Sequence, residues 1–502
     1  MRRLAAVFVC AFASLVVVGT SGATTGAVSF SVLHSFSGPE GETPAAPLVQ
    51  GADGFFYGVA AHGGDFTVSP TGRGTAFRMD ASGNVTTLHV FGGPEGDVPN
   101  SLIQGRDGFF YGTATYGGSG PLDSLFRGFG AIFRMDSAGN VTVLKAFPAG
   151  TGGAYPGPIM QGADGALYGT ASFDLVTWSQ FSGLVYRLDP ATGDFRVLHS
   201  FVPTEGQGPT GRLLQGADGF FYGTTNQGGT WNMGVVYKVD TLGHFVLLHS
   251  FSPFFPGEGS EPKGGVIQAS DGFFYGTTEQ GGYGGEIFRM DAAGNLTVIH
   301  RFDSYFSDGG RPRSGLIEGR DGFLYGTTPS GGQPVDGSRY GVVYRMDKVG
   351  TVTVLHTFTG PDGHEPWAGL VQGADGQLYG STVVGGAFGL GVLFRVDPAS
   401  PAPPAPLPTL TGLTLVPSAV VGGQGSTGTV TLGGPAPSGG AVVALSSSRS
   451  PVASVPATVT IPGGTTSASF VVSTKPVKRT RTTTITASYN SSAVSATLTV
   501  TR

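Results

Sequence analysis

Cysteine and charge are both scarce in this chain. A single cysteine, Cys10, occurs among 502 residues, and it falls in the apolar stretch near the N-terminus. With no second cysteine, internal disulfides are excluded, and thiol catalysis is excluded from everything beyond that stretch. Charged residues make up only 12%, and the formal net charge of −5 argues against a nucleic-acid partner.

Long apolar runs are also absent after the first two dozen residues. Arg2 and Arg3 precede an apolar stretch over residues 4–18, and small residues follow at 21–23. This order is typical of a cleaved secretory signal, so we assign residues 1–23 to a signal peptide. No later segment is long and apolar enough to span a membrane. We therefore expect an exported protein, extracellular or at the cell surface, with a periplasmic location as the alternative.

Glycine, by contrast, is abundant and recurs at fixed places. An Asp-Gly pair returns seven times, at intervals of 50 to 57 residues. Its aspartates are Asp53, Asp107, Asp164, Asp218, Asp271, Asp321 and Asp375. Each pair precedes an aromatic run that ends in Tyr-Gly, and Asp-Gly between two apolar runs indicates a tight β-hairpin turn. The glycine after each tyrosine is expected to let an aromatic ring from the next repeat pack closely.

Each repeat carries four short strand-like runs, exemplified by PLVQG, FFYGTT, VFRMD and TVLHSF, which we label a, b, c and d. Four-stranded units in tandem predict the blades of a β-propeller. One d-like run, at 30–36, precedes the first a run, whereas no d run follows the last c run at 392–397. Seven complete units result if the N-terminal run completes the last blade. We therefore predict an all-β fold with a seven-bladed propeller over residues 28–397; an open solenoid is the alternative.

At the DG-x-x-YGTT and VLHSF elements the chain resembles the GloVer (Gloeo/Verruco) tandem repeats of exported bacterial proteins. The resemblance covers roughly residues 28–397. It implies a repeat fold and export, and it implies no particular activity.

The remainder of the chain has a different pattern. Residues 398–409 are rich in proline and alanine and predict a semi-rigid linker. Over residues 410–502, seven short runs rich in valine, threonine and serine alternate with glycine and proline turns. This pattern predicts a small β-sandwich, which we assign as an immunoglobulin-like domain.

Two polar residue types recur at single positions of the repeat. Histidine occupies strand d at His34, His89, His199, His249, His300 and His356, with Lys145 in the remaining repeat. Since strand d is the outer strand of a blade, these side chains are too far apart to share a metal, and we predict packing or hydrogen bonding. Glutamine occupies strand a at Gln50, Gln104, Gln161, Gln215, Gln268 and Gln372, with Glu318 in the remaining repeat. We expect backbone hydrogen bonds between blades, with a ring that binds a polar ligand as the alternative.

No arrangement of catalytic or metal-binding residues stands out. The inner strands carry one carboxylate, whereas glycosidases need a pair. We therefore assign no catalytic residue, no metal site and no cofactor. Calcium at the Asp-Gly turns is an alternative, although the spaced carboxylates of a calcium loop are missing.

The loops between strands b and c and between d and a differ most from repeat to repeat. They hold aromatic residues beside acids such as Glu40, Glu95, Asp308 and Asp362. Exposed aromatics can stack on sugar rings or anchor a protein partner, and loops on a rigid scaffold often carry binding sites. The candidate binding residues are Trp178, Trp231, Trp367, Tyr116, Tyr155, Tyr283, Tyr305 and Tyr340. The alternative is that these rings cover the ends of the blades.

The sequence thus favours a secreted or surface-associated binding or adhesion protein that recognises a glycan or an extracellular protein through its loop face. Two alternatives stay open. One is an enzyme acting on an extracellular polysaccharide, with loop carboxylates as acid and base. The other is a purely structural protein of the cell envelope.

Overall fold

A computed structural model describes residues 28–502 except for several short segments. The segments outside the description are 68, 70–71, 119–127, 148–153, 174–181, 254–256, 304–307, 333–336, 338, 399–407, 437–439, 463–464 and 490–491. The assigned signal peptide and most of the assigned linker therefore lie outside the described residues.

The described chain is built from β-strands, with a single short 3₁₀ turn at Gly93–Glu95. Up to residue 397 the strands are β1 Ser29–Ser35, β2 Val49–Gln50, β3 Phe56–Ala60, β4 Thr75–Met79, β5 Val85–Val90, β6 Asp97–Gln104, β7 Phe110–Tyr116, β8 Ala131–Met135, β9 Val141–Ala146, β10 Ala154–Gln161, β11 Leu167–Phe173, β12 Leu184–Leu188, β13 Phe195–Ser200, β14 Leu214–Gln215, β15 Phe221–Thr225, β16 Val235–Val239, β17 Phe245–Ser250, β18 Val266–Gln268, β19 Phe274–Thr278, β20 Glu286–Met290, β21 Leu296–Arg301, β22 Ile317–Glu318, β23 Leu324–Thr328, β24 Val342–Met346, β25 Val352–Thr357, β26 Val371–Gln372, β27 Leu378–Thr382 and β28 Val392–Asp397.

These strands form antiparallel four-stranded sheets, of which the described residues hold seven in this region. Sheets I to VI follow the chain, as β2–β5, β6–β9, β10–β13, β14–β17, β18–β21 and β22–β25. Sheet VII has the order β1-β28-β27-β26. Its outer strand is thus the first of the chain, with Ser29 opposite Asp397 and Ser35 opposite Val392, which is the pairing that the strand count predicts.

A ring of hydrogen bonds links the sheets at their inner strands. The side-chain oxygen of each strand-a glutamine or glutamate accepts from a backbone N–H of the preceding sheet, over 2.7 to 3.3 Å. The last of these bonds runs from the Ala374 N–H of sheet VII to Gln50 of sheet I. The expected role of the glutamines is therefore confirmed, and the arrangement of the sheets is propeller-like.

The loop from strand d to strand a has one repeated conformation. A residue with φ of 55–60° precedes a proline in every copy, for example Thr43 and Glu365, although this region is unfavourable for side chains other than glycine. The proline ring packs on the glycine before strand c of the preceding sheet, as Pro44 does on Gly391, where a Cβ would collide with it. Because the feature recurs in every sheet, it belongs to the fold. This loop conformation gives the residue after each proline the same position in every sheet, near the inner strands.

Residues 410–502 form a separate pair of sheets. Their strands are β29 Leu410–Val416, β30 Ala419–Val421, β31 Ser426–Leu432, β32 Ala441–Ser447, β33 Ala453–Ser454, β34 Thr458–Ile461, β35 Ser467–Thr474, β36 Arg481–Tyr489 and β37 Ser492–Thr501. One sheet has the order β29-β31-β35-β33, and the other has β30-β37-β36-β32-β34. Buried side chains from both sheets, such as Val430 and Ile485, share one apolar core, so this unit is a two-layer sandwich.

Candidate functional site

The structure places two of the predicted aromatic binding residues in strands, Tyr116 at the end of β7 and Tyr155 near the start of β10, so these two are not loop residues as expected, and it places four others in loops. Tyr116 and Tyr155 meet edge to face, with ring centroids 5.6 Å apart. Trp367 lies 4.7 Å from the guanidinium of Arg313. Tyr340 packs edge to face on the His364 ring, so it takes part in the fold.

Two further predicted residues are exposed on adjacent sheets. Trp231, between β15 and β16, is 46% exposed, and Tyr283, between β19 and β20, is 78% exposed. Trp178 and Tyr305 lie outside the described residues. The six described residues therefore lie in different sheets, and their ring contacts do not join them into one group.

The loop acids near these aromatics are engaged by the strand-d histidines. Each histidine Nε2 faces a carboxylate of the following d–a loop at 2.8 to 3.6 Å. The pairs are His34–Glu40, His89–Glu95, His199–Glu205, His249–Glu258, His300–Asp308 and His356–Asp362. The predicted packing role of the histidines agrees with these contacts. The acids fasten the loop to the outer strand, so they are poor candidates for acid–base work.

Sheet V contains two acids that the sequence analysis missed. Glu286 begins β20 and faces Thr278 of β19 across the hairpin, while Glu279 directly follows β19. Their side chains are only 2% and 3% exposed. At the Glu286 position the other sheets have Thr75, Ala131, Leu184, Val235, Val342 and Val392. At the Glu279 position they have Ala61, Thr115, Ser172, Asn226, Pro329 and Val383.

Two cations from neighbouring loops hold Glu279. Arg313, which follows the proline of the next d–a loop, donates from Nε at 2.9 Å and lies at 2.8 Å through Nη2. Lys263, which follows the proline of the preceding loop, pairs with the other carboxylate oxygen. Burial alone would raise the pKa of Glu279, but the hydrogen bonds and charges of Lys263 and Arg313 outweigh it and lower that pKa. Glu279 is therefore a fixed carboxylate.

Glu286 is in the opposite electrostatic situation. Burial raises its pKa to about 7, against the attraction of Arg301 at 3.2 Å and with the help of the nearby charge of Glu258. Its Oε2 has no hydrogen-bond partner in the described part of the chain. The carboxyl group lies against Gly259 and Gly281, so backbone without side chains covers it on that side. This group carries a proton at a higher pH than an ordinary glutamate.

Together these residues give one hairpin a carboxylate and a carboxylic acid. Environments that push the pKa values of two carboxyl groups apart are the usual way in which proteins separate an acid from a base. The sequence did contain a signal, since sheet V departs from the repeat at both positions. The sequence analysis considered carboxylates on the inner strands only, and both glutamates lie outside those strands.

No metal-binding group is evident in the part of the chain that the structure describes. No three histidine, cysteine, aspartate or glutamate side chains are grouped there so that they could hold an ion. At the Asp-Gly turns the carboxylate is engaged by its own hairpin. In sheet I, for example, Asp53 accepts from the Phe55 N–H at 3.2 Å and from the Tyr57 hydroxyl at 2.6 Å. Nor does any helix among the described residues have the length and apolarity to cross a membrane.

Comparison with known families identifies the repeat. The chain matches the sequence profile of the Gloeobacter/Verrucomicrobia repeat over three overlapping stretches, residues 19–175, 122–338 and 212–443. The chain belongs to this family. The resemblance noted at the Asp-Gly, Tyr-Gly and VLHSF elements is thereby confirmed, and the matched region of this Gloeobacter/Verrucomicrobia repeat protein includes sheet V with both glutamates.

No curated protein matches the chain. Among solved structures, it is similar to a GH74 enzyme of Niastella koreensis, with 13% identity, a TM-score of 0.49, and coverage of 80% of this chain and 59% of that one. It is similar to the GH74 xyloglucanase of Xanthomonas campestris, with 15% identity, a TM-score of 0.48, and coverage of 81% and 60%. A third similar structure is the α-L-arabinanase of Penicillium chrysogenum complexed with arabinobiose, with 14% identity and a TM-score of 0.38. The match covers 59% of this chain and 92% of that one. These values transfer no residue role and no substrate.

The binding or adhesion function that the sequence favoured is contradicted. The similar structures just named are a GH74 enzyme, a xyloglucanase and an arabinanase, which agree better with the enzyme alternative. The side-chain contacts also weaken the expected loop-face binding site. The loop acids expected beside the aromatics are paired with histidines, and Tyr340 packs within the fold. The carboxyl groups of Glu279 and Glu286, which the sequence analysis did not identify, lie in sheet V instead.

Proposed function

We propose that this protein is an enzyme that cleaves an extracellular polysaccharide, with Glu286 as general acid and Glu279 as its carboxylate partner. The observation that carries the proposal is the pair of buried glutamates on one hairpin of sheet V. The six other sheets have uncharged residues at both positions. The fold needs no acid at these places in six copies, and departures of this kind often mark functional sites.

The two glutamates suit the two roles that hydrolysis of a glycosidic bond requires. One carboxylic acid protonates the leaving oxygen, and one carboxylate activates water or attacks the sugar. With its pKa raised to about 7 by burial, Glu286 still carries a proton near neutral pH. Lys263 and Arg313 hold Glu279 ionised, so it can act as the carboxylate at the same pH.

Two of the predicted aromatic residues lie near this hairpin and support the proposal. Trp367 stacks on Arg313, which is hydrogen-bonded to Glu279, and the tryptophan residue is 36% exposed. Tyr283 lies in the turn of the hairpin itself. Flat exposed rings of this kind stack on sugar faces. We include both in the proposed site, and the other predicted aromatics stay predictions.

Substitution of the acid tests the proposal. The mature chain is incubated with a panel of plant and bacterial polysaccharides, and the release of new reducing ends is measured. Glu286→Gln keeps the shape of the side chain but cannot deliver a proton in the same way, so turnover should fall by roughly 10²–10⁴-fold. Glu205→Gln is the matched control, because Glu205 is a loop acid paired with His199 in another sheet, and it should keep full activity.

Either of two results would overturn the proposal. One is that the wild-type chain releases no reducing ends from any polymer in the panel. The other is that Glu286→Gln and Glu279→Gln, folded as judged by thermal unfolding, retain full turnover. A purely structural role in the cell envelope would then be the remaining alternative.

We extend the proposal to the finer architecture and to the location of the protein. Residues 28–397 would close as a seven-bladed propeller, which the ring of inner hydrogen bonds supports. Residues 410–502 would be an immunoglobulin-like domain joined through a linker at 398–409, which the two-layer core supports. A signal peptide at residues 1–23 would direct export, as the charge and apolarity of that segment suggest.

A further inference from the structure

The residues that lead into the a strands form the innermost rim of the sheets. The backbone of Gly211 lies against Gly265, that of Gly264 against Ser314, and that of Gly369 within reach of Pro47. These contacts join sheets IV and V, V and VI, and VII and I. Because consecutive sheets meet at these residues, we place them around the central opening of the ring.

Arg212 is an exception among the residues of this rim. It lies two residues before β14 and directly precedes the buried Leu213. The residues at the same position of the other sheets are Pro47, Ser101, Pro158, Gly265, Gly315 and Gly369. Each of these is small or cyclic, so the long side chain of Arg212 is a departure from the repeat, like the two glutamates of sheet V.

The backbone of Arg212 lies at the edge of this opening, against Gly265 of the next sheet. The residue is exposed to water, yet the protein atoms around it lower the pKa of the guanidinium. The backbone contact with Gly265 puts Arg212 at the inner rim, so its exposed side chain borders the central opening. Among the described residues no carboxylate forms an ion pair with it. A confined cation without a counter-ion is unfavourable, and an anion would relieve this cost.

We infer that Arg212 binds an anionic group of the substrate, the carboxylate of an acidic sugar, at the mouth of the central channel. The inference rests on the proposed function, because it names the class of polysaccharide that the same site would take. A planar guanidinium matches a carboxylate through two parallel hydrogen bonds. A neutral polymer would leave this charge unpaired.

The position of Arg212 relative to the glutamate pair supports this assignment. Its backbone contacts Gly265, which lies two residues after Lys263, the lysine that holds Glu279. Arg212 and the Glu279 cluster thus occupy neighbouring segments of the rim, in sheets IV, V and VI. Lys263 is paired with Glu261 and Glu279, and Arg313 is paired with Glu279, whereas Arg212 is left for a ligand.

Binding measured without turnover tests the inference. The mature Glu286→Gln chain is titrated by calorimetry with a trisaccharide of galacturonic acid, with its carboxyl-reduced neutral counterpart, and with a sulfated galactose trisaccharide. The first should bind, and its affinity should fall as salt rises. Arg212→Gln should weaken it roughly tenfold or more, since a charge-assisted hydrogen bond is lost. Arg196→Gln, an exposed arginine on an outer strand, is the matched control and should leave it unchanged.

The outcomes separate this inference from the proposed function. Equal binding of the neutral and acidic trisaccharides, equal binding by Arg212→Gln, or no binding of any of them would overturn the role of Arg212. Preference for the sulfated trisaccharide would keep the anion site and replace the carboxylate by a sulfate. If the acidic trisaccharide binds through Arg212 while the wild-type chain cleaves no polymer, the anion site stands and the enzymatic function is wrong.

Discussion

At the scale of single residues, the repeat is a set of local contacts within each sheet. In every sheet the tyrosine hydroxyl of strand b donates to the aspartate of its own Asp-Gly turn, as Tyr57 does to Asp53. The following glycine faces an aromatic ring of strand c, as Gly58 faces Phe77. The expectation that this ring comes from the next repeat is wrong, because strand c is the hydrogen-bonded neighbour of strand b in the same sheet.

A substitution at this glycine tests the packing directly. Gly58→Ala would set a methyl group 2.5 Å from the Phe77 ring, which is closer than atoms can approach. Such overpacking should lower the free energy of unfolding by about 1–3 kcal/mol, measured by denaturant titration. Gly92→Ala is the control, because the nearest atom there is 3.6 Å away, and its effect should stay within about 0.5 kcal/mol. Equal effects of the two changes would refute this explanation of the Tyr-Gly motif.

At the scale of elements, histidine–carboxylate pairs fasten six of the d–a loops to the outer strands before them. His356 shows how far the connection extends, since it lies 2.9 Å from Asp362 and stacks at 3.5 Å on Phe30 of β1. One side chain therefore joins the outer strand of sheet VI, the loop into sheet VII and the N-terminal strand.

Removal of this histidine should loosen all three elements. His356→Ala is expected to cost about 1–3 kcal/mol of stability, because a partly buried hydrogen bond to a carboxylate and a ring contact are both lost. His244 also pairs with an acid, Asp240, but its side chain is 72% exposed, so His244→Ala should cost less than about 0.5 kcal/mol. Thermal and denaturant unfolding of both variants provide the measurement. A loss at His244 as large as at His356 would contradict the assigned role.

The strands were predictable, and the catalytic candidates were not, for a physical reason. Hairpin turns and buried aromatic runs are local signals, so the four strands of each repeat and the pairing of β1 could be expected from the sequence. The pKa of Glu279, in contrast, is lowered by Lys263 and Arg313. Each of these cations follows the proline of a different d–a loop, which fixes its position. Glu286 acquires its raised pKa from burial. Neither the ion pairs of Glu279 nor the burial of Glu286 can be predicted from the sequence of the hairpin alone.

At the scale of the whole molecule, the fold depends on the first strand completing the last sheet. β1 pairs with β28 over its length, and Gln50 accepts a hydrogen bond from sheet VII. Without β1, the outer edge of β28 would present unpaired backbone groups, which favour association with other chains.

Truncation tests this dependence. A chain that begins at residue 37 should melt at a lower temperature and aggregate, whereas a chain that begins at residue 28 should behave as the mature protein. Light scattering during thermal unfolding follows both effects at once. Unchanged melting of the shorter chain would show that the sheets hold together without β1.

If Glu286 delivers a proton during cleavage of a polysaccharide, its protonation should control the pH dependence of turnover. The release of reducing ends by the wild-type chain is measured from pH 4 to pH 9. Because the acid must be protonated and burial raises the pKa of Glu286 to about 7, activity should be high in mildly acidic solution and fall as the pH rises through about 7. The carboxylate of Glu279, with its lowered pKa, should stay ionised at the acidic end of this optimum. Turnover that continues undiminished to pH 9, or no turnover at any pH, would contradict the account.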